Sequence, residues 1–135
     1  MDILMLKSIL ATLVLLMAIL QAVTMTQVKG RIRLVNLPSS QLRRFHKLEG
    51  DTALLLTLVT AAICVGRLSS APQDSRVVLH ALVGVAGVAT ILLKFAVARF
   101  FRPYLRYASY ISTVLFFSIL GIFVTSALWY FVTLW

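Results

Sequence analysis

The sequence contains two histidines, His46 and His80, and both begin the same short motif. Each is followed four residues later by a glycine, so that His46 is paired with Gly50 and His80 with Gly84. An imidazole can ligate haem iron. A glycine one helical turn further on has no side chain and leaves room for a flat macrocycle against the helix. The repeated motif therefore predicts a haem b site with His46 and His80 as iron ligands.

An arginine lies about one helical turn before each histidine. Arg43 precedes His46, and Arg76 precedes His80. A guanidinium at the membrane interface can pair with a haem propionate. Both arginines are therefore candidate cofactor contacts.

Lys94 is an ionisable residue inside an apolar stretch, and such residues are functional candidates because a charge inside a membrane is costly. Its predicted depth matches that of Glu49 and Asp51, so an interhelical ion pair is one interpretation. A contact with a haem propionate or a quinone is the second. The third is that the ammonium group reaches out to the lipid headgroups.

Both motifs also begin stripes of small and polar residues, which commonly mediate close helix packing in membranes. At 100° per residue, one stripe consists of His46, Gly50, Ala53, Thr57, Thr60 and Cys64. The other consists of His80, Gly84, Gly87, Ile91, Lys94 and Ala98. The stripes therefore allow two interpretations, a cofactor face or a packing face.

The predicted depths of the histidines argue against one haem held by both. Their helices are expected to be antiparallel, and the 18 residues from His46 to Cys64 span about 27 Å, which brings Cys64 to the level of His80. The alternative is two haems, one at each histidine, and each of them would need a second axial ligand. Met25 near His46 and Met5 near His80 are possible, as is a histidine from a second copy or a partner subunit. A five-coordinate haem is the remaining option.

Composition assigns the chain to the membrane proteins. Of its 135 residues 61% are hydrophobic and 13% are charged, and the mean hydropathy is +0.99, unlike a soluble or disordered chain. A span needs about 20 apolar residues. Four stretches qualify: 3–24, 46–65, 77–98 and 107–134. We expect an all-α, up-down-up-down four-helix bundle in which residues 1–135 form one transmembrane domain.

Basic residues predict the orientation, because positive loops remain cytoplasmic. Nine basic residues lie within or next to loops 26–45 and 99–106. They are Lys29, Arg31, Arg33, Arg43, Arg44, Lys47, Arg99, Arg102 and Arg106. Both termini should then be non-cytoplasmic, in a membrane such as the bacterial inner membrane. Aromatic belts agree: Phe100, Phe101, Tyr104, Tyr107 and Tyr110 at one interface, and Trp129, Tyr130 and Trp135 at the other. Nucleic-acid binding is not expected from this charge pattern.

Several residues carry a resemblance to an uncharacterised family of small bacterial four-helix membrane proteins. They are Arg76-x3-His80-x3-Gly84, Lys94, and the stretch Thr125-Ser126-Ala127-Leu128-Trp129-Tyr130-Phe131. The resemblance covers most of residues 43–131. That family is distantly similar to the four-helix cores of b-type cytochromes and ferric-reductase-like domains, which implies haem binding.

Two functions remain open at this point. The first is a haem-b-binding membrane subunit that takes part in electron transfer. The second is a non-redox structural or assembly subunit, in which the stripes pack helices and the basic loop docks other membrane subunits or a second copy. Self-contained catalysis is not expected, because no zinc-protease motif or glycine-rich phosphate loop is present.

Overall fold

The computed structural model describes residues 2–67 and 74–134, and the described chain is helical with short connections. The first three spans are α1 (Ile3–Val28), α2 (Ser39–Val65) and α3 (Ser75–Arg99). The fourth span consists of a 3-10 helix (Arg102–Tyr107), α4 (Ala108–Phe123), a π-helical turn (Val124–Leu128) and α5 (Trp129–Leu134). All four spans are long and apolar enough to cross a membrane. The predicted all-α bundle of four membrane helices is confirmed.

Helix α2 extends seven residues before the predicted span 46–65, as the turn-forming and capping residues Pro38, Ser39 and Ser40 indicate. The helix begins at Ser39 because Pro38 holds the extended N-cap conformation, although no side chain caps it. The basic residues Arg43 and Arg44 therefore belong to a helix and not to a loop. The connection between α1 and α2 is correspondingly short, at 29–38, and turns through Gly30 with φ +71. Ser69, Ser70, Ala71 and Pro72, predicted to start α3, and Trp135 of the predicted aromatic belt lie outside the described residues.

Contacts between helices fix an up-down-up-down topology with two distinct ends. The end of α1 meets the start of α2, where Thr24 bonds to Glu49, and the end of α3 returns to the same level, where Lys94 bonds to Gln21. We call this the basic end, since residues 29–47 and 99–106 cluster there. The opposite end, where α1 begins and α5 ends, is called the terminal end.

The helices do not pack equally against one another. α1 contacts both α2 and the fourth span, α3 packs mainly on α4, and α2 and α3 have the least extensive contact. The apolar core consists of Val14, Ile91, Leu115 and Ile119, from α1, α3 and α4. A shallow groove therefore remains between α2 and α3.

Small residues bring α3 and α4 close together, in agreement with the packing interpretation of the stripe on α3. A Cβ placed on Gly87 would lie 3.2 Å from Ile122 Cδ1, and one on Gly121 would lie 3.0 Å from Val83 Cγ1. Gly87 and Ile91 of the stripe are buried. These glycines are packing positions.

Replacing Gly121 by alanine should separate α3 from α4. Val83 is β-branched and rotates little in a helix, so the added methyl group overpacks the contact, at a cost of about 1–3 kcal/mol. Gly84→Ala is the matched control, because nothing lies within 4 Å of a Cβ there. That control should be neutral, or stabilising by up to about 1 kcal/mol. Thermal unfolding in detergent measures both, and equal melting temperatures for the two variants would contradict the packing.

Candidate functional site

The basic end contains a buried carboxylate beside a histidine. Glu49 is 4% exposed, and its Oε1 lies 3.1 Å from Thr24 Oγ1, a hydroxyl that is also 2.7 Å from the carbonyl of Leu20. Its other oxygen, Oε2, lies 3.8 Å from Nδ1 of His46. Both of these facing atoms are buried without a hydrogen-bond partner. His46 is therefore engaged with an acid on its own helix, one turn away.

The interpretation that Lys94 pairs with Glu49 or Asp51 is wrong. Lys94 Nζ donates to the amide oxygen Oε1 of Gln21 on α1, at 3.1 Å. Asp51 is held instead by Arg99, whose Nη2 lies 3.1 and 3.0 Å from the two carboxylate oxygens. The Lys94 side chain therefore reaches α1 and takes no part in the ion pair between α2 and α3.

Gln21 also fills the space in front of Gly50. A Cβ on Gly50 would meet the Gln21 amide nitrogen at 3.0 Å. Beside it lies a cavity of about 190 Å³, lined in part by His46 and Lys94. Pockets for cofactor-sized ligands usually measure about 300–1,000 Å³. The first H-x3-G motif is therefore occupied by the protein's own side chain and adjoins a space smaller than a macrocycle needs.

The terminal end has a different arrangement around His80. Its Nδ1 lies 2.9 Å from Thr125 Oγ1, across the α3–fourth span interface. The Thr125 hydroxyl donates its single proton to the carbonyl of Gly121, at 2.7 Å, so it accepts the bond from Nδ1–H. We assign this tautomer of His80 accordingly. The lone pair of Nε2 then has no hydrogen-bond partner among the described residues, which is the state that a metal-ligating histidine requires.

Arg76, one helical turn before His80 on α3, belongs to the same cluster. Its Nη1 donates to the carbonyl of Thr125 at 3.0 Å, and its guanidinium lies 5.0 Å from the ring centre of Trp129. Thr125 belongs to the π-helical turn, in which the N–H of Trp129 bonds to the carbonyl of Ser126. Such turns inside helices are frequent at functional sites. The turn presents both the hydroxyl and the carbonyl of Thr125 to α3.

The two H-x3-G motifs differ in the free space beside their glycines. At Gly84, one turn after His80, no atom lies within 4 Å of the position of a Cβ. His80 therefore has an oriented ring, an available nitrogen and an open surface beside it, while His46 adjoins a filled glycine. Because the two histidines lie at opposite ends of the bundle, the structure does not bring them together, as their spacing predicted.

Within the described part of the chain, no hydrogen bond or ion pair joins the side chains of Arg43, Met5 and Met25 to these two clusters. Arg43 is exposed on the first turns of α2. Met5, a possible second ligand near His80, is 44% exposed, and Met25 is partly buried near the end of α1. The described residues contain no group of three or more histidine, cysteine, aspartate or glutamate side chains that could hold a metal ion. A haem needs fewer protein ligands than such a group provides.

Three residues with a part in these clusters were not recognised in the sequence. The helical spacing of Ser118, Thr125 and Trp129 indicates a packing face. Glu49 was considered only as an ion-pair partner of Lys94 at the interface, and Gln21 was not singled out. A signal existed for Gln21 and Thr24, since both are polar residues inside an apolar span. The partner of Thr125 depends on a π-helical turn, for which the sequence has no comparable pattern.

Comparison with known proteins gives a family without a described activity. A family model, Family of unknown function (DUF6529), matches residues 1–134, and the chain belongs to that family. No curated protein and no solved structure matches the chain.

Proposed function

We propose that this member of the DUF6529 family is a haem-b-binding membrane subunit that takes part in electron transfer, and that its iron ligand is His80. The observation that carries the proposal is the Thr125 hydroxyl at 2.9 Å from His80 Nδ1, which orients the ring with Nε2 available. Gly84 leaves open space one turn further on. Bound haem supplies one-electron chemistry.

The chain's own residues have separate parts in this proposal. His80 would hold the iron, Thr125 fixes the ring and its tautomer, and Arg76 would meet a propionate from the preceding turn. His46 and Gly50, with Arg43 and Lys94, are weaker candidates for cofactor contact, because Gln21 occupies the space at Gly50.

The position of His80 favours an arrangement with a second chain. His46 lines the same cavity as Lys94. Lys94 is 14 residues after His80, or about 21 Å further along α3, so one haem cannot contact both histidines of one chain. A second histidine ligand would therefore come from another copy of this chain or from a partner subunit. By charge bias the basic end is cytoplasmic, in a bacterial inner membrane, which puts His80 near the opposite surface.

An absorbance spectrum tests the proposal directly. The full chain, expressed with sufficient haem and purified in detergent, should show a b-type α-band in the dithionite-reduced minus oxidised difference spectrum. Haem extraction should give about one equivalent per chain or per two chains. A colourless protein that also fails to take up added hemin would contradict the proposal.

Replacing Thr125 by valine should weaken haem binding without removing the ligand. Loss of a group that orients a metal-ligating histidine costs about 10–100-fold in affinity. Hemin titration of the apoprotein measures this change. Ser126→Ala is the matched control, because the Ser126 hydroxyl also bonds to a helix carbonyl, at 2.6 Å, but does not contact His80. Equal affinities for the two variants would show that Thr125 does not position the ligand.

A structural or assembly subunit is the second candidate function. The stripe on α2 favours it: Ala53, Thr57 and Thr60 are buried, and both threonine hydroxyls donate to carbonyls of their own helix. A stripe satisfied in this way serves packing and offers no group to a ligand. This function predicts a haem-free chain that co-purifies with other membrane subunits.

A further inference from the structure

The cavity at the basic end contains more cationic than anionic groups. Its lining includes Lys47, Lys94 and Arg99 as cations, and Asp51 as the one carboxylate among its lining residues. Arg99 already engages both oxygens of Asp51. Glu49 is not part of the lining, and its Oε2 lies 3.8 Å from Nδ1 of the lining residue His46. Three cations against one carboxylate leave two positive charges without a counter-ion on the cavity wall.

Lys94 has unused hydrogen-bonding capacity towards this space. An ammonium group has three donors, and the described residues give Lys94 one acceptor, the amide oxygen of Gln21. That acceptor is neutral and does not compensate the charge. Lys47 is exposed at the mouth of the cavity. Both lysines line the cavity, so an anion bound there would have two cations on the surrounding wall.

The inner wall of the cavity is apolar. It includes Leu54 of α2, Ile91 of α3 and Leu115 of α4. The cavity is lined by both α2 and α3, the two neighbouring spans with the least extensive contact. A purely polar anion would leave this wall without a partner, whereas a ligand with an anionic head and an apolar tail would cover both parts.

We propose that this cavity binds an anionic phospholipid, with the phosphate between Lys47 and Lys94 and the first part of one acyl chain against Leu54, Ile91 and Leu115. A volume of about 190 Å³ is too small for a whole lipid, so the remaining chain follows the groove between α2 and α3. Basic pockets between membrane helices recognise lipid headgroups in this way. The site is independent of haem binding at His80, since it lies at the other end of the bundle.

Native mass spectrometry of the full chain tests this site. The detergent-solubilised protein is titrated with dioleoyl phosphatidylglycerol or with dioleoyl phosphatidylcholine, which differ in net charge but not in acyl chains. We expect a saturable single-lipid adduct that favours phosphatidylglycerol by about tenfold. Lys47→Gln and Lys94→Gln should each reduce its binding by about fivefold, the effect of one cation near an anionic membrane surface.

Lys29→Gln is the matched control, because Lys29 is exposed at the same end but does not line the cavity. It should change binding by less than twofold. Equal binding of the two lipids, or an equal loss in Lys29→Gln, would overturn the proposal. Displacement of phosphatidylglycerol by millimolar inorganic phosphate would identify a site for free anions and would also overturn it. Lys47 is exposed, so its replacement tests the site even if Lys94→Gln is unstable.

Discussion

Replacing His80 by alanine should abolish the b-type absorbance band, while replacing His46 by alanine should leave it in place. His80 is the histidine whose Nδ1 contacts Thr125 and whose neighbouring Gly84 is open. If the two axial ligands of the iron are the His80 residues of two copies of the chain, this one substitution removes both of them. Reduced-minus-oxidised spectra of the two variants, at matched protein concentration, measure the effect.

Two further observations separate ligand loss from misfolding. His80→Ala should keep the melting temperature of the apoprotein within a few degrees, since the ring is half-buried and contributes one hydrogen bond across the helix interface. Added imidazole should restore a band to His80→Ala by occupying the vacated ligand position. Retention of the full band in His80→Ala together with its loss in His46→Ala would transfer the site to the basic end and refute the assignment.

Replacing Gln21 by leucine should destabilise the bundle by about 2–4 kcal/mol. Gln21 is 8% exposed and supplies the acceptor for the Lys94 ammonium. Without it, a charge inside the bundle loses its hydrogen-bond partner, and breaking a buried charged interaction costs more than the interaction itself contributes. Reversible unfolding in mixed micelles of mild detergent and sodium dodecyl sulfate measures the free energy.

A double-mutant cycle isolates the reason for that loss. Lys94→Met removes the charge and keeps an unbranched apolar side chain, so it should be neutral or stabilising. Combined with Gln21→Leu, it should recover most of the lost stability. The expected coupling is at least about 1 kcal/mol. Additive effects of the two substitutions would mean that Gln21 acts through packing against Gly50 and not through Lys94.

The four spans could be predicted because their signal is the apolar length that a bilayer imposes. The packing role of Gly87 and Ile91 could also be predicted, since helical periodicity places small and apolar residues on one face. Hydropathy alone does not show where α2 begins, because residues 39–45 are mostly polar and yet helical. Their helix depends on Pro38 and on continuity with the span, not on hydropathy.

Partners across helices could not be predicted from single-helix patterns. The depths of Lys94, Glu49 and Asp51 were consistent with an ion pair, but depth leaves the rotation of each helix undetermined. A rotation of 100° per residue decides whether Lys94 faces α2 or α1. The structure turns it towards Gln21. The same limit applies to Thr125, which was placed on a packing face without its contact to His80.

The π-helical turn at Val124–Leu128 also determines the direction in which each later residue of the fourth span faces. Such a turn closes its hydrogen bonds over five residues where an α-helix uses four, so it accommodates one residue more than a continuous helix. Deleting a single residue there would let α4 and α5 join as one regular helix. Residues on either side of the deletion would keep their present faces, because the shorter sequence restores the regular helical register. If the turn became α-helical at unchanged length, every residue after it would instead be rotated by about 100° against α4. Trp129 would then no longer lie over the guanidinium of Arg76 on α3.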